Sequence, residues 1–158
     1  MKVHILKHTQ KVAAPLDEVF AFFARPENLA EITPPDLGFQ ILTPSPITMK
    51  DGAVIDYVVK LAGLPLRWRT LITCYEPPHR FVDEQLTGPY SFWHHTHTFA
   101  STPEGGTELG DVVRYAMPFG PLGELVHTLA VKRQVAGIFT HRELVIARQF
   151  GGSASATR

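Results

Sequence analysis

Between positions 37 and 116 apolar and polar residues alternate in short runs that end at Gly and Pro, the pattern of strands joined by tight turns. The alternation predicts strands over 37–43, 53–61, 66–75, 80–87, 91–100 and 107–116. Their separators, Asp51-Gly52, Gly63-Leu64-Pro65, Pro77-Pro78, Gly88-Pro89 and Gly105-Gly106, carry turn chemistry. Connections this short permit only antiparallel neighbours, because a parallel return needs about a dozen residues or more. A curled antiparallel meander follows.

Upstream, residues 3–12 interleave β-branched and aliphatic residues with His, Lys and Gln and read as a first strand. The period then changes. Pro15 suits a first helical turn, Asp17 and Glu18 complement the helix dipole, and Val19, Phe20, Phe22 and Phe23 supply an apolar face, which predicts a helix over 15–24. A second short helix is expected through PENLAEI at 26–32, stopped by Pro34-Pro35. Downstream, 121–150 is the one long helical segment, about 42 Å at 1.5 Å per residue. Its apolar pattern changes phase. Leu122, Leu125, Val126 and Leu129 form one stripe, and Val135, Ile138, Phe139, Val145 and Ile146 another turned around the axis. A straight helix cannot aim both at one sheet, so the segment either breaks near 130–132 or Gly137, or gives its first stripe to a second copy or a pocket mouth. The tail from 151 is small and polar, and disorder is expected there.

At 158 residues and 44% hydrophobic content the chain has room for one domain with a sizeable core, expected over 1–150. Lys plus Arg and Asp plus Glu number 15 each, so no charge imbalance points to a nucleic acid partner. No apolar run reaches the roughly 20 residues of a membrane span. The single cysteine forms no internal disulfide, and MKVHILKHTQKV lacks the apolar core of a signal peptide, so a cytoplasmic location is the default expectation.

The chemistry concentrates at 79–116. On a strand, Trp93, His95, His97 and Phe99 share one face, placing two imidazoles between two large aromatics, as suits a mostly apolar pocket that must orient a polar group. His-x-His could also offer two metal ligands, but no third ligand, Cys pair or helical His-x3-His presents itself, and no metal or other cofactor is expected. The face taken by Asp83 and Gln85 depends on the Gly88-Pro89 turn. If Thr87 pairs with Tyr90, Asp83 lies opposite His94; one bulged residue brings Asp83 and Gln85 to the Trp93 face. Arg67 and Arg69 read as ion-paired outer-face residues, with Glu84 or Asp111 as partners, and Arg114 is open to the same reading. Arg142, if partly buried against the sheet, needs a carboxylate or carbonyl partner. Cys74 reads as a small buried hydrophobe. No nucleophile elbow, phosphate loop or dinucleotide fingerprint occurs.

The order of strand, two short helices, six antiparallel strands and a long C-terminal helix resembles the helix-grip fold of the START-like, or SRPBCC, superfamily, which includes polyketide cyclase/dehydrase-like and birch-pollen-allergen-like proteins. APLDEVFAFFARPENLAEITPPDLGF at 14–39, LPLRWRTLITCYEPPHRFVDEQLTGPYSFWHHTHTF at 64–99, GGTELGDVVRYAMPFGPLG at 105–123 and IFTHRE at 138–143 are similar to bacterial ligand-binding SRPBCC domains that also occur fused to epimerase-like domains. No epimerase activity is carried over. The resemblance implies an α+β fold, a curved sheet of about seven strands around the C-terminal helix, with a cavity between them. Trp68, Trp93, Phe99, Tyr115 and Phe139 would then supply apolar wall, and His95, His97 and Asp83 or Gln85 its polar groups. The expected function is binding of a hydrophobic or amphipathic small molecule, of lipid, isoprenoid, aromatic or polyketide-like kind. One alternative is a cyclase/dehydrase- or hydrolase-like enzyme with His95 or His97 as general base and Asp83 or Gln85 fixing its tautomer. Another is an interaction module that docks a partner or a second copy through Leu122, Leu125, Val126 and Leu129.

Overall fold

The computed structural model describes residues 1–61 and 63–152. Beyond Gly152 the expected disordered tail lies outside the described residues. Seven strands, β1 (His4–Val12), β2 (Gln40–Ile41), β3 (Val54–Leu61), β4 (Leu64–Glu76), β5 (Arg80–Thr87), β6 (Phe92–Ser101) and β7 (Thr107–Ala116), form one antiparallel sheet in the order β1-β7-β6-β5-β4-β3-β2. β3 to β7 are the expected meander, and β1 closes on β7 with His4 opposite Tyr115 and Val12 opposite Thr107. Two register shifts between β4 and β5 leave Leu86 of β5 and Thr73 of β4 as extra residues, and bulges of this kind bend a sheet.

Helix α1 (Leu16–Phe23) starts after Pro15, whose extended backbone makes it the N-cap residue. It buries Val19, Phe20 and Phe23 against Phe81 of β5, Phe99 of β6 and Ile146 and Phe150 of the last helix. The segment PENLAEI forms a 3-10 helix over Pro26–Ala30, with its Asn28 side chain donating to the Phe22 carbonyl at 2.9 Å. Pro34-Pro35 ends that run, but Pro35 also opens a 3-10 turn, Pro35–Leu37, closed by Gly38 at φ +50°. The predicted strand over 37–43 therefore shrinks to the two residues of β2. Leu37 is buried from the turn, not from a ladder.

The C-terminal segment is α2 (Gly120–Val126), a π-helical turn (His127–Val131) and α3 (Lys132–Phe150). The wide π turn absorbs the phase change between the two stripes. Val135, Phe139 and Ile146 of α3 are buried against the sheet, whereas Leu122, Leu125, Val126 and Leu129 are 45–71% exposed. The far end of α3 is tied to the β1–α1 corner, where the Ala14 N–H donates to the Phe150 carbonyl at 3.1 Å and the Ala13 N–H to that of Gly151 at 3.0 Å.

Two apolar clusters lie under α3, one around Phe20, Phe23, Phe99 and Ile146, the other around Val113, Tyr115, Val135 and Phe139. The residues that separate them along each strand are polar. His8 on β1, Asp111 on β7, His95 and His97 on β6, and Arg142 and Glu143 on α3 are all buried. A charged band thus crosses the concave face of the sheet.

Candidate functional site

The band meets a cavity of about 200 Å³ between sheet and helix. Its sheet wall includes Ile55, Tyr57, Trp68, Ile72, Phe81 and Trp93, its helix wall Val135, Ile138 and Phe139, and its flank Phe23, Ile32 and Leu37. An aromatic cluster stiffens one end. Trp68 meets Trp93 edge-on at 5.1 Å and stacks on Tyr57 at 5.8 Å. Its Nε1 is buried and, among the described residues, has no hydrogen-bond partner. An indole N–H left in that state inside a cavity is a donor available to a ligand.

Asp83, His95, His97 and Arg142 form a charged group in the lining, and the exposed Arg25 also borders the cavity. Asp83 stands opposite His95 in the β5–β6 ladder, so the hairpin has the shifted register that brings Asp83 to the Trp93 face. The two imidazoles face each other with centroids 3.7 Å apart and planes tilted by 33°, between two carboxylates. His95 Nε2 lies 2.8 Å from Asp111 Oδ1 and its Nδ1 3.6 Å from Asp83 Oδ2. His97 Nε2 lies 2.8 Å from Asp83 Oδ2 and its Nδ1 3.2 Å from Asp111 Oδ1. Arg142 reaches Asp111 Oδ1 at 3.2 Å, which is the carboxylate its burial demanded, and stands 3.5 Å from His97 Nδ1. The guanidinium also rests over the Phe23 ring at 4.7 Å.

These neighbours set the charges. Burial opposes ionisation of Asp111, but Arg142 and the donors from His8, His95 and His97 hold its carboxyl well below the usual range. Asp83 is likewise lowered, burial being outweighed by the two imidazoles. Burial and the neighbouring His97 lower His95, against the pull of Asp111. For His97 burial also works against charge, but Asp111 and Asp83 prevail and raise it. Behind the two imidazoles, His8 Nε2 meets Glu143 Oε2 at 3.1 Å, and its Nδ1 stands 3.8 Å from Asp111 Oδ2, an ion-pair separation beyond hydrogen-bond reach.

Of the residues expected to line the cavity, Trp68, Asp83, Trp93, His95, His97 and Phe139 do so. Three do not. Gln85 closes the hairpin, donating to the Tyr90 carbonyl at 2.7 Å and accepting from the Tyr90 N–H at 3.3 Å. Phe99 packs in the α1 cluster one strand position beyond the cavity. Tyr115 turns to the π-helical turn, its hydroxyl 2.9 Å from His127 Nε2. Arg69 is the expected surface ion pair, but with Asp56, at 2.7 Å, in place of Glu84 or Asp111. Asp111 lies inside, not on the outer face. Cys74 is half-buried, with Arg80 at 3.5 Å from its sulfur. The sequence does not single out His8 and Glu143, and it suggests Asp111 only as an outer-face partner for arginine. The signal was present in β7, where Asp111 interrupts the inward series Leu109, Val113 and Tyr115.

A profile of the family described as polyketide cyclase/dehydrase and lipid transport matches residues 12–139. The chain belongs to that family. Solved structures of the same fold include the aromatase/cyclase ZhuI from Streptomyces sp. R1128, at 20% identity and TM-score 0.67, covering 96% of this chain and 100% of that one. A START superfamily protein from Mycobacterium smegmatis aligns at 14% identity and TM-score 0.69, over 93% and 97%. TTHA0849 from Thermus thermophilus aligns at 15% identity and TM-score 0.70, over 92% and 99%. At these identities the likeness establishes the helix-grip fold and leaves ligand and chemistry to the residues. No curated protein sequence matches the chain. Family and fold make it a small-molecule-binding domain in general terms, and among the described residues no helix is long and apolar enough to cross a membrane.

Proposed function

We propose that this domain binds a compact aromatic or polyketide-like molecule, apolar over most of its surface and carrying a carbonyl or oxyanion at one end. The carrying observation is the make-up of the cavity: largely aromatic and aliphatic walls, with Asp83, His95, His97 and Arg142 gathered together in the lining and the unpartnered Trp68 Nε1 on the sheet wall. A volume of about 200 Å³ falls below the roughly 300–1,000 Å³ of drug-sized pockets, which favours one or two rings over a long acyl chain. The walls supply affinity by burial, and Trp68 and the charged wall orient the oxygen. Acid–base catalysis by His95 or His97 is the weaker reading, because both nitrogens of each imidazole face Asp83 or Asp111 and neither lone pair is aimed at a ligand.

Native mass spectrometry of freshly purified protein, followed by calorimetric titration with aromatic ketones and phenols, tests this reading. A retained aromatic compound, or saturable binding that weakens about tenfold or more in Trp68→Phe, which removes the indole N–H together with part of the ring, supports it, one hydrogen bond to a buried donor being worth roughly 1–1.5 kcal/mol. Empty protein that takes up none of these probes refutes it.

A further inference from the structure

The three lining residues Asp83, His95 and His97 point one donor atom each at a common spot: Asp83 Oδ2, His97 Nε2 at 2.8 Å from it, and His95 Nδ1 at 3.6 Å from it. We propose that this triad is a binding site for a divalent transition-metal cation of the Zn²⁺ or Fe²⁺ kind, held by two imidazoles and one carboxylate with its remaining positions open to the cavity.

The argument turns on Asp111. Its Oδ1 lies 2.8 Å from His95 Nε2, within hydrogen-bond reach, and 3.2 Å from His97 Nδ1, at ion-pair distance, with Arg142 3.5 Å from the same Nδ1. With a proton on each of these two nitrogens, the nitrogens left to a cation are the two that face Asp83. An imidazole whose second nitrogen is anchored on a carboxylate is the usual support of a metal-bound histidine. Spacing agrees as well, because donors at about 2.1 Å from an ion stand about 3.0–3.4 Å apart for angles between octahedral and tetrahedral. The observed 2.8 and 3.6 Å bracket that range, so a cation needs only small rotations of the three side chains.

Charge agrees too. Asp83, Asp111 and Arg142 sum to one negative charge, which favours a cation between the carboxylates. A divalent cation bound there leaves one positive charge, matched by a bound hydroxide or by the oxyanion of a cavity ligand. His8 and Glu143 pair with each other at 3.1 Å and leave the sum unchanged. The last consequence, a ligand oxygen completing the coordination sphere, rests on the proposed ligand; the metal site itself does not.

A second cluster, His4, Glu124 and His127, has comparable donor spacing and serves as the internal control. There Tyr115 occupies His127 Nε2 at 2.9 Å and Lys2 already neutralises Glu124 at 3.4 Å.

The experiment is titration of chelator-stripped full-length protein with Zn²⁺ by calorimetry and with Co²⁺ by visible absorption. The expected result is one saturable site at neutral pH with cobalt d–d bands. His97→Ala should weaken it at least 100-fold, and Asp111→Asn, which keeps all three ligands, by about 10–100-fold. His4→Ala should leave it unchanged, and circular dichroism confirms that each variant is folded. Wild-type protein that shows no saturable binding, or binding that survives His97→Ala and disappears in His4→Ala, overturns the proposal. Either failure leaves the aromatic-ligand reading standing, since ketone and phenol binding is measured without added metal.

Discussion

Asp111 gathers His95, His97 and Arg142 around a single oxygen, and its other oxygen faces His8. Removing these ions from water costs several kcal/mol each, so the band is poor as a device for stability and makes sense as a built site. Arg142→Met should destabilise the fold by about 3 kcal/mol, the low end for breaking a buried pair, because His95 and His97 still serve Asp111. Urea denaturation checks this, and a change below about 1 kcal/mol would mean that the imidazoles alone neutralise the carboxylate. His8 gives a pH test. Asp111 raises its pKa, burial opposes, and Glu143 adds to the rise; Arg142 approaches from the same helix as Glu143. A folded-state value above the unfolded one means that the stabilisation is complete below about pH 6.5 and is lost as pH climbs through the folded value. The stability advantage of wild type over His8→Gln should therefore shrink between pH 6 and pH 9, as denaturation curves at each pH will show. An advantage that grows with pH would reverse the assignment of His8 as a cation.

Elements differ in how far local sequence determines them. The strands β5 and β7 begin and end where the alternation and its Gly and Pro punctuation place them, because one buried and one solvated face leave a period of two in the sequence. The run at 37–43 looked similar, but a proline pair can start a 3-10 turn as well as end a helix, and the tertiary position of Leu37 decided the matter. The hairpin between β5 and β6 hid its register for a related reason. Its single extra residue is held by Gln85 bonding back to Tyr90, and Gly88 leaves the space that side chain fills. That one residue moves Asp83 to the cavity, so the His pair is legible in the sequence, and its carboxylate partner only as one of two possible registers. The start of α2 shows the opposite case, a local conflict visible only in the structure. Phe119 sits at φ +66° with 82% of its surface exposed, a left-handed conformation without packing in return. Phe119→Asn should raise stability by roughly 0.5–1 kcal/mol in thermal unfolding, since Asn adopts this region more readily. A loss of stability instead would show that the exposed ring makes contacts worth more than its strain.

The whole molecule resolves two demands by placing them on one surface: the concave sheet must bury α3 to fold and must also leave room for a ligand. The apolar clusters at either end of the charged band meet the first demand, and the cavity beside the band meets the second. Trp68 stands where the two conflict. At 8% exposure it is core by burial, yet it faces the cavity and makes its principal ring contacts with Tyr57, Tyr90 and Trp93. Trp→Ala in a closed core costs about 3–5 kcal/mol, and a residue bordering an existing cavity should fall near the lower figure. Trp68→Ala should thus weaken the fold by about 3 kcal/mol while enlarging the space available to a ligand. A ligand that fills this space binds the folded chain alone and restores about 2.7 kcal/mol when present at a hundred times its Kd. The expected outcome is an exchange of preference, with wild type stabilised more by one- and two-ring ketones and the variant by ligands one ring larger, read as shifts in Tm across a graded series. Equal shifts for both proteins across the series would mean that Trp68 does not border the space the ligand occupies, and the volume limit placed on the ligand would then have to be sought in the α3 wall at Val135 and Phe139.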